Sequence, residues 1–366
     1  MGDDTRTMMS RRLFLTRTAL TAVAAGPVLT AVTAARPIGA VQPAGQASPA
    51  AGTPGAEASP AAGTDITRPF TFVKKEPVKI GYSVYDMQQP YWQAYAKGIE
   101  DACNDAGYDF FLSDQKSSEQ TQVTGSLDLI NRGISALIVS PVQPPALPAV
   151  VDAAHEAQIP VVIGDVGAAG DYDVFVLSDN YDGGRLAAQY MAQVLGSREG
   201  TKQVAMITLH PGSAVGEVRA AGWRDEITKH QGFEIVGELN GNDTVQEGFA
   251  AARDLLSANP VLAGIYCCND PEALGSAQAL KQAGKSGVED VLLVGFNGDP
   301  PALELIQSGE MAATVRQDPY GQGRACVEAA TALMNNQPVT VQDAEQRAIY
   351  FPVTVVDADN VGDYTG

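Results

Sequence analysis

Two successive series of short apolar runs, separated by amphipathic segments, constrain the fold of this chain more than any other feature. The runs lie at 78–85, 108–113, 135–140, 160–164 and 173–180, and then at 202–209, 233–239, 261–267 and 290–296. Runs such as SALIVS and DVLLVGF are apolar without alternation, which is typical of parallel strands covered on both faces. Because strand and helix alternate in two sets, the sequence predicts two doubly wound α/β lobes with a ligand cleft between them.

The N-terminal region does not share this pattern. Residues 1–35 contain the pair Arg11 and Arg12, then an apolar run that ends in small residues. SRRLFL resembles a twin-arginine export signal, so we expect a signal peptide over 1–35, with an uncleaved membrane anchor as the alternative. Residues 36–68 are rich in Ala, Pro, Gly and Ser and should form a disordered linker, because they bury too little apolar surface. We therefore expect an exported protein, periplasmic or extracellular, with the linker as a tether to the cell surface or a leftover tail.

The charge balance and the cysteines exclude several classes of function. The formal net charge is −19 and no basic stripe offsets it, so binding to nucleic acid is not expected. Cys103, Cys267, Cys268 and Cys326 show no zinc-binding spacing. They should be small buried residues, with a Cys103–Cys326 disulfide as the alternative that export permits. The histidines also lack metal-ligand spacing, so neither a metal nor another cofactor is expected.

Motifs for catalysis are incomplete. The chain has no G-x-S-x-G nucleophile elbow, and AGKSG at 283–287 lacks the first glycine of a phosphate-binding loop and follows a helix. GDVGAAG at 164–170 has the wrong spacing for a dinucleotide fingerprint. The polar residues at strand ends are Asn, Gln, Asp and Arg without an activated nucleophile, which favours a binding protein over an enzyme.

The segment QQPYWQAYAKGIEDACNDAGY, residues 88–108, marks the first strand-to-helix corner. From Trp92 onward its apolar residues recur at helical spacing, and Pro90 suits the first turn and Gly107 the helix end. Tyr91 falls outside this stripe. We place it at the corner, where a parallel α/β sheet has its binding crevice.

Residues 77 to about 353 resemble the periplasmic sugar-binding proteins of ribose-binding type, the substrate-binding subunits of ABC importers. The resemblance rests on the corner segment followed by LDLINRGISALIVSPV, QIPVVIGDVGA, CCNDPEALGSAQALKQAG and VGFNGDPPALELIQSGEMAATVRQ. It implies the type I periplasmic binding protein fold, two lobes joined by a three-segment hinge, which also forms the core of LacI-type repressors. A repressor would carry a helix-turn-helix where this chain has its export signal and linker.

The resemblance also implies lobe boundaries and a mode of action. We expect an N-terminal lobe of 69–179 plus 318–349 and a C-terminal lobe of 180–317 plus 350–366, with crossings near 179–181, 317–319 and 350. A ligand that touches both lobes would favour hinge closure, and the closed monomer would present its ligand to a membrane permease.

The first lobe is expected to supply a polar residue, two aromatic rings and a carboxylate. In this family the residue before the proline hydrogen-bonds sugar hydroxyls and the next two aromatics clamp the ring; the corresponding residues are Gln89, Tyr91 and Trp92. Core packing alone is the alternative for Trp92. Asp165 matches a carboxylate that accepts hydroxyl hydrogen bonds, with a turn cap as its alternative. The family often has an arginine next, and Val166 in its place leaves the substrate open.

The second lobe is expected to supply the remaining contacts. Arg219 matches an arginine that donates to sugar oxygens, with a surface position as the alternative. Asn269 and Asn297 stand at strand ends where the family has Asn and Asp, with helix capping as the alternative for each. Gln317 matches a hinge-side ligand. Asp243 stands where ribose binders have an aromatic residue, which argues against ribose, and an N-cap of the following helix by Thr244 or Asp243 is an equal alternative.

The sequence thus predicts an exported receptor that captures a monosaccharide or related polyol, does no chemistry on it, and delivers it to an ABC transporter permease. A sensory receptor for a chemoreceptor or histidine kinase is an alternative with the same fold. A glycoside hydrolase would need two carboxylates flanking one bond, for which Asp165 and Asp243 are the obvious pair. A signal-anchored regulator without a ligand is disfavoured by the polar cleft residues.

Overall fold

The computed structural model describes residues 63–365, so the expected signal peptide at 1–35 and residues 36–62 of the expected linker lie outside the described residues. The strands are β1 (Thr64–Ile66), β2 (Lys79–Val84), β3 (Asp109–Asp114), β4 (Ala136–Val139), β5 (Val161–Gly164), β6 (Val174–Ser178), β7 (Lys202–Thr208), β8 (Phe233–Asn240), β9 (Leu262–Cys267), β10 (Leu292–Asn297), β11 (Ala313–Arg316), β12 (Val339–Val341), β13 (Ala348–Phe351) and β14 (Thr354–Asp357). The helices are α1 (Pro90–Ala106), α2 (Glu119–Asn131), α3 (Pro148–Glu156), α4 (Asn180–Leu195), α5 (Ala214–Ile227), α6 (Val245–Ala258), α7 (Asp270–Gln282), α8 (Pro300–Ser308) and α9 (Pro319–Met334). None of the helices within 63–365 has the length and apolar character needed to cross a bilayer.

The strands form two large sheets, one in each lobe. The first has the order β13-β6-β5-β4-β2-β3 and is parallel throughout. The second has the order β14-β11-β10-β9-β7-β8 and is parallel except for its antiparallel edge strand β14. Central strands such as β4 and β5 are buried at every residue, as their non-alternating sequences predict. The prediction of two doubly wound α/β lobes is confirmed.

The chain passes between the two sheets after β6, after β11 and after β13. Strand β13 stays paired with β6 as far as Phe351, so the predicted lobe boundary after residue 349 comes two residues early. Pro352 lacks the N–H that would extend the parallel ladder, which explains why the strand ends there. The carboxyl ends of the strands of both sheets lead into the loops that carry the polar residues described below.

The end of the predicted linker is part of the folded lobe. Residues Thr64–Ile66 pair antiparallel with β12. Arg68 lies 2.7 Å from Asp171 and donates at 2.8 Å to the fully buried Asp173. The prediction of disorder through residue 68 is therefore wrong for its last residues. The physical reason is that a cation with two carboxylate partners and a paired strand offset the ordering entropy that the Ala-Pro-Gly composition alone cannot.

Paired glycines allow the helices of each lobe to approach closely. A Cβ on Gly184 of α4 would lie 2.0 Å from the carbonyl oxygen of Arg219, and one on Gly222 of α5 would lie 2.1 Å from that of Tyr181. In the first lobe, Gly98 and Gly323 likewise allow α1 and α9 to approach closely. The α4–α5 contact matters for function because it fixes the helix that carries Arg219.

All four cysteines are buried and free, so the Cys103–Cys326 disulfide alternative is wrong and the small buried residues are confirmed. The Cys326 sulfur lies 3.1 Å from the Tyr95 hydroxyl, in the packing between α9 and α1. Burial raises the pKa of the Cys103 thiol to about 12, which leaves it protonated and unreactive at neutral pH.

Candidate functional site

A cavity of about 330 Å³ lies between the two lobes, at the carboxyl ends of their parallel strands. Residues from both lobes line it. It brings together every binding residue expected from the sequence, namely Gln89, Tyr91, Trp92, Asp165, Arg219, Asp243, Asn269, Asn297 and Gln317. Their role in binding a ligand remains a prediction, but their convergence from distant segments follows from the topology of the two sheets.

Aromatic rings form one wall of this cavity. Trp92 stacks on Tyr85, with ring centroids 5.3 Å apart and planes 7° from parallel. Tyr91 meets Trp92 edge to face at 4.9 Å. Trp92 is only 5% exposed, so it packs in the core as the helix stripe predicts and also presents an edge of the cavity. Sequence reasoning missed Tyr85, although its position directly after β2 was a usable signal.

Asp165 is the buried carboxylate of the first lobe. The Tyr91 hydroxyl donates to its Oδ1 at 2.6 Å, and no backbone N–H donates to it among the described residues, so it does not act as a turn cap. Burial raises the pKa of Asp165, while the Tyr91 hydrogen bond and the charge of Arg219 act in the opposite direction. The carboxylate therefore keeps unused acceptor capacity at the cavity surface.

Arg219 is a cleft residue, not a surface residue. It is 4% exposed and its guanidinium lies 3.8 Å from the centroid of the Phe296 ring. Its Nε donates to Asn180 at 2.8 Å and its Nη1 to the Cys268 carbonyl at 2.9 Å. Nη2 has no acceptor among the described residues, so this nitrogen is available to a ligand in the cavity.

Gln317 and Asn297 form an amide chain near the hinge. Gln317 donates from Nε2 to the Asn297 Oδ1 at 2.8 Å and accepts from the Ser178 hydroxyl at 2.7 Å. Asn297 caps no helix, whereas Asn269 caps α7 by accepting from the Glu272 N–H at 2.9 Å. Asn269 thus lines the cavity and caps a helix at once.

The Asp243 carboxylate contacts the side chain and the backbone of His210. Its Oδ2 lies 2.5 Å from the His210 Nδ1, and it also accepts from the His210 backbone N–H. The neighbouring Thr244 caps α6, so the Thr/Asp capping alternative holds for Thr244 and not for Asp243. Beneath this loop lies Glu272, which accepts from the Asp243 N–H at 3.3 Å. Its Oε2 is buried and has no hydrogen-bond partner in the part of the chain that the structure describes. Burial, reinforced by the charge of Asp243, raises the pKa of Glu272 to about 8.

Replacing Glu272 with glutamine should remove a pH dependence of stability. An acid whose pKa is raised on folding loses stability as pH increases from its unfolded value, 4.5, to its folded value, about 8. We expect Glu272→Gln to become more stable relative to the native protein by at least about 1 kcal/mol between pH 5 and pH 8, measured by urea unfolding. The exposed Glu247→Gln serves as the control. An equal difference between variant and native protein at both pH values would contradict the assignment.

Asp299 is a further carboxylate in the cavity that the sequence did not single out. It stands at the N-cap position of α8, yet its side chain accepts no helix N–H. Pro301 removes the N2 N–H, and the N3 N–H, that of Ala302, donates to the backbone carbonyl of Asp299 at 2.9 Å and not to its side chain. Within the described residues 63–365, the Asp299 Oδ2 accepts only from the Asn297 Nδ2, at 3.2 Å.

The arrangement suits a small ligand that combines an apolar face with hydrogen-bonding groups. The aromatic wall can cover C–H groups of a ring, while amides, a guanidinium and carboxylates can pair with hydroxyls. In the part of the chain that the structure describes, no three His, Cys, Asp or Glu side chains are grouped so that they could hold a metal ion.

Comparisons with known proteins agree with this geometry. Residues 80–338 match the family model of the periplasmic binding protein domain. The ribose import binding protein of Bacillus subtilis is 30% identical over 273 residues, which cover 74% of this chain and 87% of that protein. A solute-binding protein of Actinobacillus succinogenes with bound D-allose matches with a TM-score of 0.72 at 25% identity, covering 78% of this chain and 100% of that one. A solute-binding protein of Bacillus halodurans with bound myo-inositol matches with a TM-score of 0.70 at 25% identity, covering 79% of this chain and 97% of that one. The chain therefore belongs to the periplasmic binding protein family, as the sequence resemblance predicted.

Proposed function

We propose that this protein is an extracytoplasmic receptor that captures a monosaccharide or related polyol in the interlobe cavity and delivers it to the permease of an ABC importer. One observation carries the proposal: a single cavity of about 330 Å³ combines stacked aromatic rings from one lobe with a buried arginine from the other. A volume of this size suits a ligand with a single ring.

The relatives support the ligand class. Their names and bound molecules comprise ribose, D-allose and myo-inositol, which are compact rings with several hydroxyls. The aromatic pair Tyr85 and Trp92 would cover the apolar face of such a ring, and Asp165 and Arg219 would bind its hydroxyls. Ribose binders have other residues at the positions of Val166 and Asp243. This difference favours a ligand other than ribose.

Binding would couple to closure of the lobes about their crossings. A ligand held by Asp165 from one side and Arg219 from the other has greater affinity for the closed state, so it shifts the population toward closure. No bond of the ligand is broken in this cycle. The closed monomer is then the form that the permease recognises, and residues 1–35, as a twin-arginine signal, would place it outside the cytoplasm, with the linker as its tether.

Thermal unfolding of the protein against monosaccharides, deoxysugars and polyols tests this function. A ligand present at 100 times its Kd should stabilise the folded state by about 2.7 kcal/mol. We expect at least one compound of the panel to raise Tm, and mass analysis should recover that compound unchanged. A flat response across the panel would contradict the ligand class, and a chemically altered ligand would show that the protein is an enzyme.

A further inference from the structure

The cavity contains more carboxylates than cations. Asp165, Asp243 and Asp299 line it, and Arg219 is its permanently charged cation. The Asp243 carboxylate already has a hydrogen-bond partner, because its Oδ2 lies 2.5 Å from the His210 Nδ1. Among the described residues that line the cavity, Asp165 and Asp299 then face Arg219 as the single permanent cation.

Arg219 cannot neutralise both carboxylates. Two of its nitrogens donate to neutral oxygens, those of Asn180 and the Cys268 carbonyl, and its guanidinium stacks on Phe296. Among the residues that the structure describes, Arg219 lies within ion-pair distance of no carboxylate. Its Nη2 can serve one anionic group or one ligand oxygen, which leaves a negative charge in the cavity without a partner.

Asp299 is the carboxylate with fewer strong donors. Asp165 receives the short hydrogen bond of Tyr91, whereas Asp299 receives one amide hydrogen bond of 3.2 Å from Asn297. Pro301 removes one helix N–H, and the next, that of Ala302, donates to the backbone carbonyl of Asp299, so the Asp299 side chain accepts no helix N–H. Burial raises the pKa of Asp299. The neighbouring buried carboxyl of Asp270 accepts from the Asp299 N–H at 2.8 Å and supplies no positive charge. Closure around an uncharged ligand would desolvate the Asp299 carboxylate further at a cost of free energy.

We infer that the ligand carries a protonated amino group on its polyhydroxylated ring and that the Asp299 carboxylate binds this ammonium. The inference rests on the proposed function and narrows its substrate class to amino sugars and amino polyols. An ammonium offers several N–H donors and a positive charge, so it satisfies the free oxygen of Asp299 and balances the cavity at once. A ligand with a carboxylate or phosphate is disfavoured for the same reason.

The test compares compounds that differ only in one amino group. The pairs are D-glucosamine and D-glucose, D-galactosamine and D-galactose, and scyllo-inosamine and scyllo-inositol, titrated calorimetrically into the full-length protein at pH 6.5. The amino member of at least one pair should bind tenfold or more tightly than its partner. N-acetylation of that amine, which removes the charge, should abolish the preference.

Two variants assign the preference to its residue. Asp299→Asn keeps an oxygen for the Asn297 amide but removes the charge, and it should reduce the amino-to-hydroxyl affinity ratio below threefold. Asp254→Asn removes the same charge from an exposed site on α6 outside the cavity and should leave the ratio unchanged.

Each other outcome contradicts a defined part of the inference. Neutral members that bind as tightly as the amino members would overturn it while the proposed sugar receptor stands. An unchanged ratio in Asp299→Asn would overturn the assignment to Asp299. If no member of any pair binds but the thermal panel identifies another ligand, the amino class alone is wrong. If both experiments are negative, the proposed function fails as well.

Discussion

Arg219→Met should weaken binding of the ligand found in the thermal panel by about a hundredfold or more. Methionine can still cover the Phe296 ring, but it cannot donate to a ligand oxygen from the second lobe. Hydrogen bonds to a charged group contribute about 1.5–3 kcal/mol each, and about 2.7 kcal/mol corresponds to a hundredfold in Kd. Because Arg219 is the buried cation of the cavity, its loss also removes much of the bias toward the closed state.

The measurement is isothermal titration of that ligand, together with urea unfolding of the free variant. Unfolding is needed because Arg219 also donates to Asn180 and to the Cys268 carbonyl, so the variant should be less stable as well. Arg224→Met on the same helix is the matched control. Arg224 pairs with Glu238 outside the cavity at 2.6 Å, and the pair is about one-third exposed. It should contribute at most about 1 kcal/mol to stability and nothing to binding. If the folded Arg219→Met variant binds the ligand with a Kd within threefold of that of the native protein, Arg219 does not contact the ligand.

Gly184→Ala should destabilise the protein by about 2 kcal/mol or more, although alanine is the better helix former. Helix propensity alone favours the substitution by up to about 1 kcal/mol. Against this, the new Cβ would lie 2.0 Å from the Arg219 carbonyl oxygen and 2.9 Å from the Trp223 nitrogen. Both are backbone atoms of a buried helix, so α4 and α5 must separate. Overpacking of this kind costs about 1–3 kcal/mol and occasionally more. This cost exceeds the gain in helix propensity, so the net effect on the free energy of unfolding is destabilising.

The free energy of unfolding in urea measures this effect, with Gly167→Ala as the control. A Cβ at Gly167 would meet nothing within 4 Å, and its backbone is not in the left-handed region, so alanine should leave stability unchanged or improve it slightly. Separation of α5 from α4 should also move Arg219 and weaken ligand binding. A Gly184→Ala variant as stable as the native protein would show that the α4–α5 contact can relax without cost.

Much of the fold followed from local patterns. The non-alternating apolar runs indicated parallel strands, and the 3.6-residue stripe from Trp92 with Pro90 before it indicated α1, which begins at Pro90. Resemblance to a family then selected the cleft residues, and all of them line one cavity. Strand ends and helix starts are local properties, and a parallel sheet brings its carboxyl ends together, which explains why the candidate residues converge; their role in binding stays a prediction.

Contacts between distant segments were not predictable in this way. Arg68 meets Asp173 across 105 residues of sequence, so a stretch with linker composition becomes part of the lobe. Glu272 reads as an ordinary residue in the first turn of a helix, and only its burial under the Asp243 loop raises its pKa.

By itself, the sequence determined the alternation of strands and helices, the two-lobe class and the set of polar residues at the strand ends, because each depends on neighbours within a few turns. Only the tertiary structure decided which carboxylates are satisfied. Among the described residues, the Asp243 carboxylate contacts His210 and that of Asp165 accepts from Tyr91, whereas the Asp299 side chain accepts from one amide. The reason is physical: whether a buried charge is balanced depends on which groups the fold places within a few ångströms of it, and sequence spacing does not specify those distances.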